Sequence, residues 1–359
     1  MKIIFVLPGR GGGGGTHSVV QETLGLHRIG ISASIATTTE TACAFGRLYP
    51  ELEAAGLKAL EFQGSDGLAA VIAGSDMVIA TTAASAQLLV DSLRRLDLEG
   101  GRVPRPAYYV QDYEPLFFAP GSAAWKTAWS SYSALPDALL FAKTNWLCEM
   151  VAINHGLKVQ KVRASLDHDL YYPDMGASRS GPVRIAAMIR ANTPRRAPHR
   201  TARIMARLAE LHGDKVVLTS FGTQLDDLQR RGLELSGRID HRGVLDRGQV
   251  ADVLRASDLF LDLSDYQAFG RTALEGMACG CVPVLPLFGG ASEYAKDRWN
   301  GFVVDTRSDE AIMAAVSDYL TCSPESRNDL RHNALSTALT YSVAQSVHSE
   351  ADLFARALQ

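Results

Sequence analysis

The sequence predicts an α/β fold with two domains, on three observations. The chain has 359 residues, which is long for a single hydrophobic core and suggests two. Short apolar, strand-like runs alternate with helix-like segments, a pattern typical of open parallel sheets. The alternation starts twice, near Ile3 and again near Val183, and each starting strand leads into a polar loop. Two Rossmann-like domains account for this pattern.

The first domain is expected to span residues 1–170. Residues 3–7 read as its first strand because they form a short apolar run that ends at Pro8-Gly9. A helix at 16–29 and a strand at 32–37 follow. The later elements predicted here are strands at 77–81 and 107–111 and helices at 83–96 and 146–155.

The second domain is expected to span residues 180–338, after a polar run at 176–182 that reads as an interdomain linker. The last helix, 343–357, is predicted to return to the first domain, so that residues 340–359 pack there. The elements predicted between linker and last helix are strands at 183–189, 216–220, 259–263 and 282–285 and helices near 201–212 and 248–256.

Charge, cysteine content and the length of apolar runs each argue against some classes of protein. The formal net charge of −3 argues against a nucleic-acid partner. Five scattered cysteines argue against a disulfide framework and favour the reducing cytoplasm. Since no apolar run reaches the roughly 18 residues of a membrane-spanning helix, we expect a cytoplasmic protein, with peripheral attachment to the inner face of the membrane as an alternative.

The segment that starts at Gln267 carries the most specific signal. Gly270 precedes a helix, and the unpaired N–H groups of a helix N-terminus favour phosphate. Glu275 lies about one and a half turns further on, where a carboxylate can accept hydrogen bonds from two neighbouring hydroxyls. The segment therefore predicts a site for a diphosphate and a ribose. An ordinary amphipathic helix before a core strand is the alternative.

This segment resembles the donor motif of family-four retaining glycosyltransferases of the GT-B fold, which has two glutamates separated by seven residues. Gln267 stands in place of the first glutamate and Glu275 in place of the second. The resemblance implies that Gln267 contacts the donor sugar and that Glu275 holds the ribose. It also implies a GT-B fold, α/β with two Rossmann-like domains facing a cleft.

Arg190 and Arg195 follow the first strand of the second domain. The resemblance implies that both grip the donor diphosphate, Arg195 standing where the family has lysine. A guanidinium group can hold phosphate oxygens in a bidentate way. A solvated basic loop is the alternative, because Arg196, His199 and Arg200 extend the charge.

The loop after the first strand is rich in glycine, which lets backbone amides approach an anion closely. The resemblance places Gly13, Gly14 and Gly15 beside the donor diphosphate. His17 follows this loop and is a candidate acceptor contact, although a histidine at a helix start is also a common surface residue. A flexible surface loop is the alternative for the glycines.

The run Gln111-Asp112-Tyr113-Glu114 ends a first-domain strand and resembles a rhamnosyltransferase-like subgroup of the family. The resemblance makes these four residues candidate acceptor contacts, with Asp112 orienting the acceptor hydroxyl. Alternatively, Asp112 caps the following turn and Glu114 is solvated.

The resemblance assigns the remaining donor contacts to backbone groups, apolar walls and the helix start. They are Phe221, Gly222, Val244, Leu245, Phe269, Gly270, Arg271 and Thr272. Phe221 as a core residue is the alternative at that position. The glycines of Phe288-Gly289-Gly290 would permit a further close approach of the backbone, with a simple tight turn as the alternative.

The resemblance implies a retaining transferase of hexosyl or deoxyhexosyl groups, with dTDP-rhamnose the favoured donor. The acceptor would be a glycan or lipid-linked glycan in cell-surface polysaccharide synthesis. The candidate catalytic residues are Asp112, Gln267, Arg190 and Arg195, and no metal or cofactor is expected. A non-catalytic nucleotide-sugar or glycan-binding protein on the same scaffold is one alternative, favoured by Gln267. An NAD-dependent oxidoreductase is the other, although no acid stands at the end of the second strand.

Overall fold

The computed structural model describes residues 1–9, 11–174, 176 and 180–359. The chain divides into two compact units, Met1–Ser165 with Ser342–Gln359, and Leu166–Tyr341. Each unit consists of a parallel sheet and the helices that connect its strands. The predicted α/β class with two Rossmann-like domains is therefore confirmed.

Among the described residues, the first unit has seven parallel strands in the order β3-β2-β1-β4-β5-β6-β7. Its strands are β1 (Lys2–Val6), β2 (Ser32–Thr38), β3 (Leu60–Phe62), β4 (Met77–Ala80), β5 (Arg105–Val110), β6 (Leu139–Ala142) and β7 (Gln160–Lys161). Its helices are α1 (Gly14–Arg28), α2 (Thr39–Leu48), α3 (Pro50–Ala54), α4 (Gly64–Ile72), α5 (Ala83–Leu98), α6 (Ala123–Ser130), α7 (Asn145–His155) and the C-terminal α14 (Val343–Ala357).

Helix α14 packs in the first unit. Val347 and Phe354 lie in one apolar core with Phe5 of β1 and Phe141 of β6. A Cβ atom at Gly25 of α1 would lie 2.4 Å from a methyl group of Val347, so glycine is what allows the two helices to approach.

The second unit has six parallel strands within its described residues, in the order β10-β9-β8-β11-β12-β13. Its strands are β8 (Val183–Met188), β9 (Val216–Phe221), β10 (Ile239–His241), β11 (Leu259–Leu261), β12 (Val282–Pro286) and β13 (Phe302–Val304). Its helices are α8 (Pro198–His212), α9 (Leu225–Arg230), α10 (Arg247–Arg255), α11 (Arg271–Ala278), α12 (Asp309–Thr321) and α13 (Pro324–Ala338).

The units change between Ser165 and Leu166, whereas the sequence predicted that the first domain ends at 170. Leu166 and Tyr171 are buried in a core cluster of the second unit beside Phe260, so this stretch folds with that unit. Part of the predicted linker at 176–182, residues 177–179, lies outside the described residues.

The predicted strands and helices are present, with small shifts at their ends. Helix α1 begins at Gly14 rather than at residue 16, and β11 ends at Leu261 rather than at residue 263. The elements that were not predicted include helices α2, α3, α4, α9, α12 and α13 and strands β3, β6, β7, β10 and β13. No described helix is both long and apolar enough to cross a lipid bilayer.

Candidate functional site

The candidate site of the second unit lies where its strand order reverses. Strands β8 and β11 are neighbours although two strands separate them in sequence, and the chain runs outward from them in both directions. Ligands of open parallel sheets bind at the carboxyl ends of strands at such a point. Arg190 follows β8 and Gln267 follows β11, so the sheet brings these predicted residues to one edge.

The loops that follow β8 and β11 are tied together. The amide of Asp265 donates to the carbonyl oxygen of Arg195 at 2.8 Å. The guanidinium group of Arg200 donates to the carbonyl of Leu263 at 3.0 Å and to the carboxylate of Asp265 at 2.8 Å. The loop after β8, which carries Arg190 and Arg195, is therefore held against the segment that leads to Gln267.

Arg190 is a partly buried cation close to other cations. Burial lowers its pKa, and the charges of Arg196 and Arg195 lower it further, with a smaller opposing effect of Glu275. Its Nε atom donates to the sulfur of Met188 at 3.1 Å. An anion bound among these arginines would offset their mutual repulsion.

Gly270 is the N-cap residue of α11 and has φ 84° and ψ 47°, a left-handed conformation that favours glycine. A Cβ atom there would lie 2.5 Å from the Tyr294 hydroxyl, which donates to the Gly270 carbonyl at 2.8 Å. Burial raises the pKa of Tyr294, so the hydroxyl stays a donor. Phe269 packs edge-on against the same ring, with centroids 5.4 Å apart.

Glu275, in the second turn of α11, is 4% exposed. Burial raises its pKa to about 7, opposed by the charges of Arg271, Arg247 and Arg190. Arg271 Nη1 lies 4.0 Å from Glu275 Oε1, and Thr272 follows it in the first turn of the helix. A buried carboxylate beside cations, near a helix N-terminus, can accept hydrogen bonds from the hydroxyls of a bound ribose.

Gln267 is buried and fully engaged through its amide nitrogen. Nε2 donates to Asp262 Oδ2 at 2.6 Å and to Ser264 Oγ at 3.0 Å. The backbone carbonyl oxygen of Gln267 accepts the Gly290 amide at 2.6 Å. A Cβ atom at Gly289 would lie 2.1 Å from that oxygen, so the predicted glycine pair brings the backbone close to Gln267 itself.

The residues predicted after β9 and β10 divide into core and surface. Phe221 is buried in the core, in agreement with its alternative interpretation. Gly222 has φ 114°, and a Cβ atom there would lie 2.9 Å from the Ile189 carbonyl. Val244 is 58% exposed, whereas Leu245 packs partly against the core.

In the first unit, Gly13 is the N-cap of α1 and Gly14 begins that helix. A Cβ atom at Gly15 would lie 2.0 Å from Gln111 Oε1, so these two predicted residues are in direct contact. His17, also predicted, is buried in α1, and its amide donates to the Gly13 carbonyl at 3.0 Å.

Asp112, Tyr113 and Glu114 each have structural contacts. Asp112 Oδ1 accepts the amide of the next residue, Tyr113, at 2.9 Å. The buried Tyr113 hydroxyl lies 3.0 Å from His155 Nε2. Glu114 Oε1 accepts the amide of Ala83, the first residue of α5, at 2.8 Å, so Glu114 is not simply solvated.

The sequence interpretation missed residues that support this site. Asp262 and Ser264 hold Gln267, and Tyr294 holds Gly270. The signal for Asp262 was present, because a polar residue at the carboxyl end of a central strand is a usual site residue. The predicted strand to residue 263 placed Asp262 inside the strand instead. Among the described residues, no three His, Cys, Asp or Glu side chains are grouped to hold a metal ion.

Residues 179–337 match the family model of Glycosyl transferases group 1. The chain is 27% identical over 200 residues to D-inositol 3-phosphate glycosyltransferase of Mycobacteroides abscessus. The matched region covers 51% of this chain and 44% of that protein. It is 28% identical over 121 residues to an uncharacterized glycosyltransferase of Methanocaldococcus jannaschii, covering 33% and 31%. The chain thus spans less than half the length of these curated relatives.

The fold is similar to that of Anabaena HepE (Alr3699) in complex with UDP and glucose, with a TM-score of 0.79 and 17% identity over 99% of this chain and 100% of the other. Sucrose-phosphate synthase from Thermosynechococcus elongatus gives a TM-score of 0.76 with 14% identity, over 99% of each chain. At these identities the likeness concerns the fold. The second unit therefore matches the group 1 glycosyl transferases, and the chain has the α/β fold of GT-B glycosyltransferases, with two parallel-sheet Rossmann-like domains.

Proposed function

We propose that this chain is a glycosyltransferase that moves a sugar from a nucleoside diphosphate to a hydroxyl group of a glycan. One observation carries the proposal. Arg190, Arg195, the N-terminus of α11 and the buried Glu275 all belong to the loops and helix that follow two adjacent strands of the second unit. Cations and a helix N-terminus suit a diphosphate, and a buried carboxylate suits a ribose.

In the proposed reaction, the bond between the anomeric carbon and the phosphate oxygen breaks and the diphosphate leaves with the bonding electrons. Arg190, Arg195 and the first amides of α11 stabilise the negative charge that develops there. The acceptor oxygen forms the new bond on the same face of the sugar, and its proton passes to the leaving phosphate. The anomeric configuration is therefore retained, and no metal ion takes part.

The donor is a hexosyl or deoxyhexosyl nucleotide. The resemblance of the segment at Gln111 to rhamnosyltransferases favours dTDP-rhamnose, whereas the UDP bound by Anabaena HepE favours a uridine nucleotide. Gln267 contacts the donor sugar and Glu275 the ribose.

The acceptor is a glycan or lipid-linked glycan in cell-surface polysaccharide synthesis, handled on the cytoplasmic side of the membrane. Asp112 orients its hydroxyl group. Peripheral attachment to the membrane would suit a lipid-linked acceptor, and no nucleic-acid partner is proposed.

A thermal-shift panel with dTDP, UDP, GDP, ADP and NADH tests the nucleotide site. A ligand at about 100 times its dissociation constant stabilises the folded state by roughly 2.7 kcal/mol, which is readily measured. We expect stabilisation by one nucleoside diphosphate, abolished by Arg190→Ala. Arg230→Ala is the matched control, because Arg230 is an exposed arginine of α9 in the same unit.

Stabilisation by NADH alone would overturn the proposal in favour of an oxidoreductase. Release of the nucleoside diphosphate from its sugar conjugate, stimulated by a glycan, would distinguish the transferase from a non-catalytic binding protein. A protein that binds the conjugate without any turnover would favour the binding protein.

A further inference from the structure

The structure contains a buried carboxylate beside the candidate donor site that the proposed reaction does not use. Asp262 immediately follows β11 and is buried. Its Oδ1 accepts the Ser264 hydroxyl at 2.6 Å and the Ser264 amide at 3.3 Å, and its Oδ2 accepts Gln267 Nε2 at 2.6 Å. In the described part of the chain no lysine, arginine or histidine forms an ion pair with it. Because burying a carboxylate without hydrogen-bond donors is costly, Asp262 depends on the donors from Ser264 and Gln267.

The carboxylate fixes which way the Gln267 amide faces. An ionised carboxylate only accepts hydrogen bonds, so the nitrogen of the amide must face Asp262. The second contact of that nitrogen, with Ser264 Oγ, accounts for its other hydrogen. Within the described residues the side-chain oxygen of Gln267, Oε1, accepts no hydrogen bond. This oxygen is therefore available to a ligand.

We propose that Asp262 is a positioning residue for the donor sugar. By holding the Gln267 nitrogen, it presents the Gln267 oxygen as an acceptor for a sugar hydroxyl group. This inference rests on the proposed function, since it assigns a determinant of sugar binding within the same site. The ligand class is a nucleotide sugar with a free hydroxyl group at the contacted position.

Exchanging the carboxyl and amide groups between positions 262 and 267 separates the effect of the pair from the effect of either side chain. In Gln267→Glu, two carboxylates would face each other at the short distance that Asp262 and Gln267 now share, and both cannot stay ionised at that separation. In Asp262→Asn, nothing forces the Gln267 nitrogen to face residue 262, so the amide can turn its NH₂ group toward the sugar. In the double variant Asp262→Asn/Gln267→Glu, the new amide donates to the new carboxylate, which again presents an acceptor oxygen to the sugar.

The test uses the full chain in four forms: the wild type, each single variant and the double variant. Binding of the nucleoside diphosphate identified by the panel above, and of its sugar conjugate, is measured by titration calorimetry. We expect both single variants to weaken binding of the sugar conjugate at least about tenfold, as for one lost buried hydrogen bond. Binding of the nucleoside diphosphate should change less than about threefold, and the double variant should recover much of the loss.

A ligand-free measurement accompanies the titrations. The single variants should lower the melting temperature, and the double variant should recover most of that loss. Asp240→Asn is the control, since it removes an exposed carboxylate of β10 that pairs with Arg242. We expect it to leave both ligands' affinities unchanged.

Two results would overturn the proposal. One is an Asp262→Asn variant that binds the sugar conjugate as tightly as the wild type does. The other is a double variant no better, in conjugate affinity and in melting temperature, than the worse single variant. A purely structural role would instead weaken the nucleoside diphosphate and its conjugate equally. A wild type that binds no nucleoside diphosphate would refute the proposed function itself, and the melting temperatures would still decide the Asp262–Gln267 pairing.

Discussion

The buried carboxyl group of Glu275 should make the second unit less stable as pH rises, and Glu275→Gln should remove that effect. Burial raises the pKa of Glu275 from an ordinary 4.5 to about 7 in the folded protein. Below the lower value both the folded and the unfolded states carry the proton, so the free energy of unfolding does not change with pH because of this group. Between the two values only the folded state keeps it, so stability falls with pH.

The size of the effect follows from the two pKa values. Each pKa unit corresponds to about 1.36 kcal/mol, so stability should fall by about 3 kcal/mol between pH 4.5 and 7 and then level off. The side chain of the Glu275→Gln variant is neutral at every pH and bears no such cost. In a unit of this size, 1 kcal/mol shifts the melting temperature by roughly 2–4 °C, so the variant should gain about 6–12 °C over the wild type at pH 8 relative to pH 4.5.

The assay is thermal unfolding of both proteins at a series of pH values without ligand. Other titrating groups affect both proteins alike, so the difference in melting temperature isolates Glu275. Glu234→Gln, which changes an exposed carboxyl group of the same unit, should show no such trend. A difference that stays constant from pH 4.5 to 8 would refute the reasoning, because it would mean that Glu275 is not held in a poorly solvated site.

Two further predictions concern stability. Gly289 has φ 106°, and a Cβ atom there would lie 2.1 Å from the Gln267 carbonyl oxygen; Gly289→Ala should cost at least about 2 kcal/mol in urea unfolding, whereas Gly237→Ala, with open space around it, should be close to neutral. In the first unit, burial and the neighbouring Glu22 raise the pKa of Glu350, so Glu350→Gln should raise the melting temperature at pH 8 more than at pH 5, and an equal effect at both would contradict this assignment.

The local part of the candidate site could be predicted from the sequence. A glycine before an apolar-periodic helix, with a carboxylate in the second turn, needs only short-range rules. As expected, Gly270 is the N-cap of α11 and Glu275 lies in the second turn of that helix. The arginine pair likewise follows a buried strand, β8. These residues take their places from the element next to them in sequence.

The other parts of the candidate site could not be predicted, because they depend on contacts between segments that are distant in sequence. The contact of Gly15 with Gln111 joins the first turn of α1 to the loop after β5. Strands β1 and β5 are not neighbours in the sheet, and no periodicity encodes this contact. The hydroxyl of Tyr113 is occupied by His155, which lies at the far end of α7 in sequence. A side chain proposed to meet an acceptor from sequence alone can therefore turn out to have a partner in its own unit.

The glutamine at position 267 illustrates how a departure from a motif can be physically consistent. A glutamate there would lie against the buried Asp262, and one of the two would have to take up a proton. With glutamine, the amide nitrogen donates a hydrogen bond to the Asp262 carboxyl group, and the amide oxygen remains for the proposed ligand. The carboxyl group that a motif glutamate would bring is thus supplied by Asp262. Asp262 lies one hydrogen bond behind Gln267, and the short motif does not include it. Position 267 considered alone would suggest a lost function, whereas in our proposal the pair of Asp262 and Gln267 keeps an acceptor oxygen for the sugar.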